Sequence, residues 1–109
     1  MEKVDFNYKL SFYVPESHLE IVKEALFAIG AGSQGNYDKT CWQCLGQSQF
    51  RPIGNAHPNI GKTYTLNYVP EYKVEMLCHA TIIEKAILML RHYHPYEVPA
   101  YDVIRVEII

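Results

Sequence analysis

The sequence predicts an α+β sandwich of the ferredoxin-like kind, in the order β-α-β-β-α-β, with two helices on one face of a mainly antiparallel sheet. Three observations carry that expectation. Residues 4–14 alternate strictly between apolar and polar side chains. Two later stretches, 64–78 and 100–109, repeat the two-residue period, with a shorter β-rich run at 40–45 between them and the start. Two segments, around residues 17–29 and 81–93, space their apolar residues as a helix does. At 109 residues, one domain spanning 1–109 has to account for the whole chain.

In the first strand Val4, Phe6, Tyr8, Leu10, Phe12 and Val14 take the even positions, with Asp5, Asn7, Lys9, Ser11 and Tyr13 between them, so one face is expected to be buried. Pro15 and Ser17 end it and open a helix whose apolar stripe is Leu19, Val22, Leu26 and Ile29. Gly30-Ala31-Gly32 closes that helix, because glycine reaches the left-handed conformation without a side-chain penalty. A loop at 33–38 leads to the second strand, Thr40 to Leu45. Residues 46–62, with Pro52, Gly54, Pro58 and Gly61, form a long irregular excursion of the kind that carries function in small domains. Tyr64, Leu66 and Tyr68 then alternate with polar residues, and Tyr72, Val74, Met76 and Cys78 keep the same parity. Pro70 interrupts them, so this is one broken strand or two consecutive ones. Thr81 and Glu84 are spaced as a capping box at the start of the second helix. Its stripe is Ile83, Ala86, Ile87 and Leu90, and Pro95 ends it by disfavouring helical geometry at His94. In the last strand Ile104, Val106 and Ile108 share the face expected to be covered, which also turns Asp102 inward.

Composition narrows the function. Twelve acidic and ten basic residues leave a formal charge of −2, without the basic stripe of a nucleic-acid module. No apolar run approaches a membrane span, and the N-terminus lacks a signal segment, so a cytoplasmic location is expected. Three cysteines suit reduced thiols. Cys41 and Cys44 lack a second ligand pair for a zinc site and read as buried strand residues, and Cys78 reads as core. The serines lack the glycine-flanked elbow and histidine base of a nucleophilic triad.

The densest chemistry lies in His94-Pro95-Tyr96-Glu97-Val98-Pro99-Ala100-Tyr101-Asp102. Two prolines stiffen the run between helix and strand. It reads either as a corner whose polar groups satisfy one another or as a binding loop. His57 lies on a second proline-stiffened loop. An imidazole pair with Glu97 could hold a divalent ion, although hydrogen-bonded structural histidines explain the same residues. Gly35, Asn36 and Tyr37 could offer amides to an anion, but more simply make a tight turn with Asn36 bonded locally and Tyr37 packed.

Several islands together resemble a known family. Gly30-Ala31-Gly32 with Gly35-Asn36-Tyr37, Phe50-Arg51-Pro52, Gly54 through Pro58 to Gly61, Glu71 with Val74-Glu75, and His94-Pro95-Tyr96-Glu97 with Ala100-Tyr101-Asp102 resemble the small domain of YqfO-like proteins, relatives of the yeast Ngg-interacting factor. That resemblance implies a P-II/CutA-like version of the ferredoxin-like fold and assembly into trimers through the sheets. In the longer relatives this domain is inserted within a metal-binding core. The core's ligands have no counterpart here, so the resemblance implies no catalytic residue. It implies instead a stand-alone, non-enzymatic binding or regulatory module, with no resident cofactor, acting as a homo-oligomer on a small ligand or partner protein, or alongside a separate core protein. Gly35, Asn36, Tyr37, His57, His94, Tyr96, Glu97, Tyr101 and Asp102 are its candidate ligand-binding residues; His57, His94 and Glu97 are the metal ligands of the alternative.

Overall fold

The computed structural model describes residues 5–109. The elements run β1 (Asn7–Val14), α1 (Glu16–Ala28), β2 (Trp42–Phe50), β3 (Asn67–His79), α2 (Ile83–Tyr93) and β4 (Tyr101–Val106). The strands form a four-stranded sheet in the order β2-β3-β1-β4, and its three ladders are antiparallel. Both helices pack on one face, which confirms the predicted ferredoxin-like α+β arrangement.

The two-residue period explains which face they cover. Leu10, Phe12 and Val14 of β1 and Val74, Met76 and Cys78 of β3 project into one cluster with Leu19, Val22 and Leu26 of α1 and Ala86 and Leu90 of α2. Each of these positions is one that sequence periodicity marks as apolar; Val4, marked in the same way, lies outside the described residues. Shortening one of these fully buried leucines to alanine removes about 2–5 kcal/mol. Burial pushes the Cys78 thiol up to about 11, which keeps it protonated within the core.

α1 ends in a Schellman motif: Ala31 N–H donates to the Leu26 carbonyl and Gly30 N–H to the Phe27 carbonyl, with Gly30 at φ +102°. Gly32 then locks the connection to the sheet. Its N–H donates to the Leu77 carbonyl at 2.7 Å, and its own carbonyl accepts from the Thr40 amide and hydroxyl.

Five expectations change. β2 runs to Phe50 rather than ending at Leu45, because its residues pair in unbroken register with Asn67 to Glu75 of β3. Cys41 and Cys44 are exposed: β2 is an edge strand, with one neighbour and no helix over its outer half. Three residues apart on extended chain, they lie about 10 Å from each other and out of disulfide reach. β3 passes through Pro70 as one strand, since β1 has already ended opposite Tyr72 and leaves Pro70 a locally free edge. Tyr64 and Leu66 fall outside it. The capping box does not form: Ile82 holds the cap position, and the Thr81 hydroxyl bonds to His79 Nδ1 at 2.9 Å instead. In β4 the register pairs Phe12 with Tyr101 and Ser11 with Asp102, so Tyr101 and Val103 face the helices while Asp102 and Ile104 are exposed on the open face.

Glycine 32 supplies a test of the α1 connection. Its φ is +75°, and a Cβ would stand 2.6 Å from the Thr40 carbonyl oxygen and 2.9 Å from the Phe27 ring, whereas at Gly35, φ +58°, a Cβ meets nothing within 4 Å among the described residues. Gly35→Ala is therefore expected to cost about 1 kcal/mol, the left-handed penalty alone, and Gly32→Ala several times that. Urea unfolding of the two variants measures the difference.

Candidate functional site

Three hydrogen bonds fix the corner between α2 and β4. His94 caps α2 in extended geometry, φ −75° and ψ 137°, as a residue before proline prefers. Its imidazole is 6% exposed and reaches the end of β1, where Nε2 donates to the Tyr13 carbonyl at 2.6 Å. On the other side Tyr96 N–H donates to Nδ1 at 3.1 Å. An amide can only donate, so Nδ1 is the bare nitrogen and Nε2 carries the proton. Tyr13 N–H returns a bond to the Ala100 carbonyl at 3.2 Å, tying both ends of the corner to β1. The Tyr96 ring then meets the His94 ring edge to face, 4.8 Å between centroids.

The excursion between β2 and β3 is braced against this corner. Tyr64, in the left-handed region at φ +62°, donates its N–H to the Pro52 carbonyl and accepts the Gly54 N–H on its hydroxyl. His57 N–H donates to Glu97 Oε2 at 3.0 Å, which joins the two proline-stiffened loops directly. A cavity of about 320 Å³ opens between them, walled by Phe50, Pro52, Pro58, Ile60 and Val98, with Arg51 at its exposed edge. Glu71 of β3, 7% exposed, and Tyr96 supply the buried polar groups.

The Tyr96 hydroxyl completes no hydrogen bond of ordinary geometry, although the Glu71 carboxylate lies against it. Burial, and then that neighbouring negative charge, push its pKa well above the usual phenol value. Burial also lowers the pKa of His94, against the opposing effects of the Tyr13 carbonyl and the Glu71 charge.

The candidate residues thus divide. Tyr96, Glu97 and the backbone of His57 come together at the cavity, and His94 stands behind them. As metal ligands, His57, His94 and Glu97 do not converge: both His94 nitrogens are engaged in hydrogen bonds, and His57 reaches Glu97 through its amide. Among the described residues no group of three or more His, Cys, Asp or Glu stands close enough to share an ion. Gly35, Asn36 and Tyr37 form a turn closed by paired bonds between Gln34 and Tyr37, and Tyr37 is 75% exposed rather than packed. That turn hangs from Gly32, anchored at Leu77, six residues and about 20 Å along β3 from Glu71. Tyr101 takes the helix side of the sheet, where Arg91 Nε donates to its hydroxyl, and Asp102 is solvated. Sequence reasoning missed Glu71 as a site residue. The signal was a carboxylate placed beside Val69 and Pro70 in a strand.

His94 gives the site a pH signature. A base with a lowered pKa in the folded chain draws protons into the unfolded one, so its stabilising effect is complete above the ordinary value of 6.5 and is lost as pH falls from there. Stability is expected to drop between pH 7.5 and 5, and His94→Gln to flatten that slope while costing about 2 kcal/mol at pH 7.5. Urea midpoints for both proteins across the range read the slope; parallel curves would remove His94 as the titrating group.

No protein-family model matches the chain. Over 103 residues it is 34% identical to a protein of Staphylococcus aureus named GTP cyclohydrolase 1 type 2 homolog, covering 94% of this chain and 28% of that one. A homologue of the same name from Staphylococcus epidermidis is 33% identical over 100 residues. Among solved structures, a Bacillus cereus protein related to NIF3 superposes with TM-score 0.82 and 30% identity, over 98% of this chain and 27% of that one. The divalent cation tolerance protein CutA of Archaeoglobus fulgidus superposes with TM-score 0.68 over 94% of this chain and 85% of its own, at 12% identity, a likeness of fold alone. The chain is therefore similar, over nearly its whole length, to little more than a quarter of these GTP cyclohydrolase 1 type 2 homologs and of the NIF3-related protein, within a CutA-like fold.

Proposed function

We propose that the chain is a non-enzymatic, oligomeric binding or regulatory module of the YqfO-like small-domain type, with its ligand site in the cavity between residues 51–60 and 94–100. The observation that carries this reading is the joining of two stiff loops by the His57–Glu97 bond around an apolar cavity that holds a buried carboxylate and an unsatisfied hydroxyl. An apolar volume with a few convergent polar groups is the ordinary make-up of a small-molecule site.

Assembly is supported by what the sheet leaves uncovered. Trp42 on the open face is 56% exposed, and Ile104 is exposed on the same face. From Trp42 to Phe50 the edge strand β2 carries no charge and no proline, so it lacks the usual protection against pairing with another strand. The opposite edge, β4, is equally free. Joining one edge to the other between copies closes a ring, and the resemblance to P-II and CutA proteins favours three. Since the relatives are much longer, a metal-binding core is a further partner of this module, whether in the same polypeptide or in another. Three unpaired thiols favour the cytoplasm. Among the described residues no helix is long and apolar enough to cross a membrane.

The alternative, a divalent-ion protein, is prompted by the name of the A. fulgidus neighbour. It would require the His94 Nδ1 lone pair to give up the Tyr96 amide, and metal analysis of untagged protein tests it.

Light scattering is expected to give three times the chain mass at micromolar concentration, and Trp42→Glu to shift it toward the monomer with the circular dichroism unchanged. A fragment library followed by amide NMR is expected to shift resonances of residues 56–60 and 96–98. Shifts confined to the turn at 34–37 would move the site away from the cavity.

A further inference from the structure

We propose that the cavity receives a small organic amine in its protonated form, with an apolar body and one ammonium head bound by Glu71 and the Tyr96 hydroxyl. The inference rests on the reading of the cavity as the binding site and adds the charge and chemistry of what enters it.

The argument begins with Glu71. The residue is 7% exposed, yet among the described residues no lysine, arginine or histidine makes an ion pair with it, and the group set against it is the Tyr96 hydroxyl. The nearest lysine along β3, Lys73, is committed to Glu75 at 3.0 Å. A buried carboxylate without a partner is costly, and the cost is relieved by whatever brings positive charge and N–H donors. The second observation is independent. The Tyr96 hydroxyl, fully shielded and without a completed hydrogen bond, sits against the same carboxylate.

The donor inventory then selects the ligand. An ionised carboxylate only accepts, and the Tyr96 phenol beside it keeps its oxygen lone pairs unused. Both groups want donors. An ammonium offers three and neutralises the charge. Around them the walls are apolar, Phe50, Pro52, Pro58, Ile60 and Val98, and suit a hydrocarbon or aromatic body in about 320 Å³. Glu97 lies at the same cavity with Oε2 already accepting from His57, and adds negative potential. Arg51 is the opposing charge, but it is exposed, so solvent screens it while Glu71 is screened far less. A metal ion is the poorer complement, since it needs three or more ligands that the described residues do not assemble.

Three matched probes separate the possibilities: benzylamine, benzyl alcohol and benzoate, titrated at pH 7 into the full chain and followed by amide NMR. Benzylamine is expected to bind the cavity at least about tenfold more tightly than the other two, with Glu71→Gln and Tyr96→Phe each abolishing most of that preference. Tyr96→Phe keeps the ring against His94, so it reports on the hydroxyl even if Glu71→Gln fails to fold. Equal binding of benzylamine and benzyl alcohol overturns the amine preference and leaves the cavity as a site. Tighter benzoate binding overturns it in favour of Arg51. Shifts at the cavity from none of the probes remove both the amine and the site. A fall in oligomer mass on Glu71→Gln, with benzylamine affinity unchanged, assigns the carboxylate to a neighbouring subunit and also overturns the proposal.

Discussion

One imidazole holds the business end of the fold together. His94 terminates α2, caps the end of β1 through Tyr13, and receives the amide that starts the corner to β4. Three elements meet at a ring that is almost wholly buried, and both of its nitrogens are used in opposite senses, one donating and one accepting. Of the imidazole's protonation states, only the neutral tautomer with its proton on Nε2 can do this. A lysine has no acceptor, and a carboxylate has no donor unless it is protonated. Burial keeps the ring neutral at the pH where it is needed. From this pin the rest of the site follows: Pro95 and Pro99 keep the corner extended, Tyr96 is laid against the ring, and Glu97 is carried out to meet the His57 amide.

That arrangement separates two kinds of polar group. His94 is satisfied and structural. At the cavity, Glu71 is buried without a cationic partner, and the Tyr96 hydroxyl beside it is buried without a completed hydrogen bond. A small domain with a stability of about 5–10 kcal/mol can carry one such defect, and carrying it at the junction of two stiff loops concentrates the cost where a ligand can relieve it. The same loops make the defect durable. With His57 bonded to Glu97, and Tyr64 bridging Pro52 and Gly54, the cavity cannot close by simple collapse of either loop.

Much of this was legible in the sequence, because periodicity is local. The core positions of β1, α1 and α2 follow from two-residue and helical spacing, and the proline rule places the end of α2 one residue before His94. Pairing information is not local. Parity alone assigns Ile104 and Asp102 to the core side, and the register of β4 on β1 puts them on the open face. The same holds for β2, where register puts Trp42 on the open face and leaves Leu45 exposed on the helix side of an edge strand. His94 and Glu97 were visible as chemistry, since a stiff proline-flanked run is unusual. Glu71 was not, because a glutamate in a strand ordinarily points to water. It is buried where the 51–60 loop and Tyr96 meet around the cavity.

Glu71 also sits where two surfaces meet. It lines the cavity and, with Trp42, Cys44, Lys73 and Glu75, the shallow groove across the open face of the sheet. Around that groove the charges are already matched, Glu75 between Lys9 and Lys73 with its pKa held below the usual carboxylate value. The unmatched charge is the one at the border. Any chain that packs across this face and any molecule that fills the cavity must therefore each change the environment of one carboxylate. A coupling carried by that charge would be reciprocal, each binding event shifting the affinity of the other by the same factor. On the proposed ligand and assembly, Glu71 is the residue common to both surfaces, and the route between them needs no moving part.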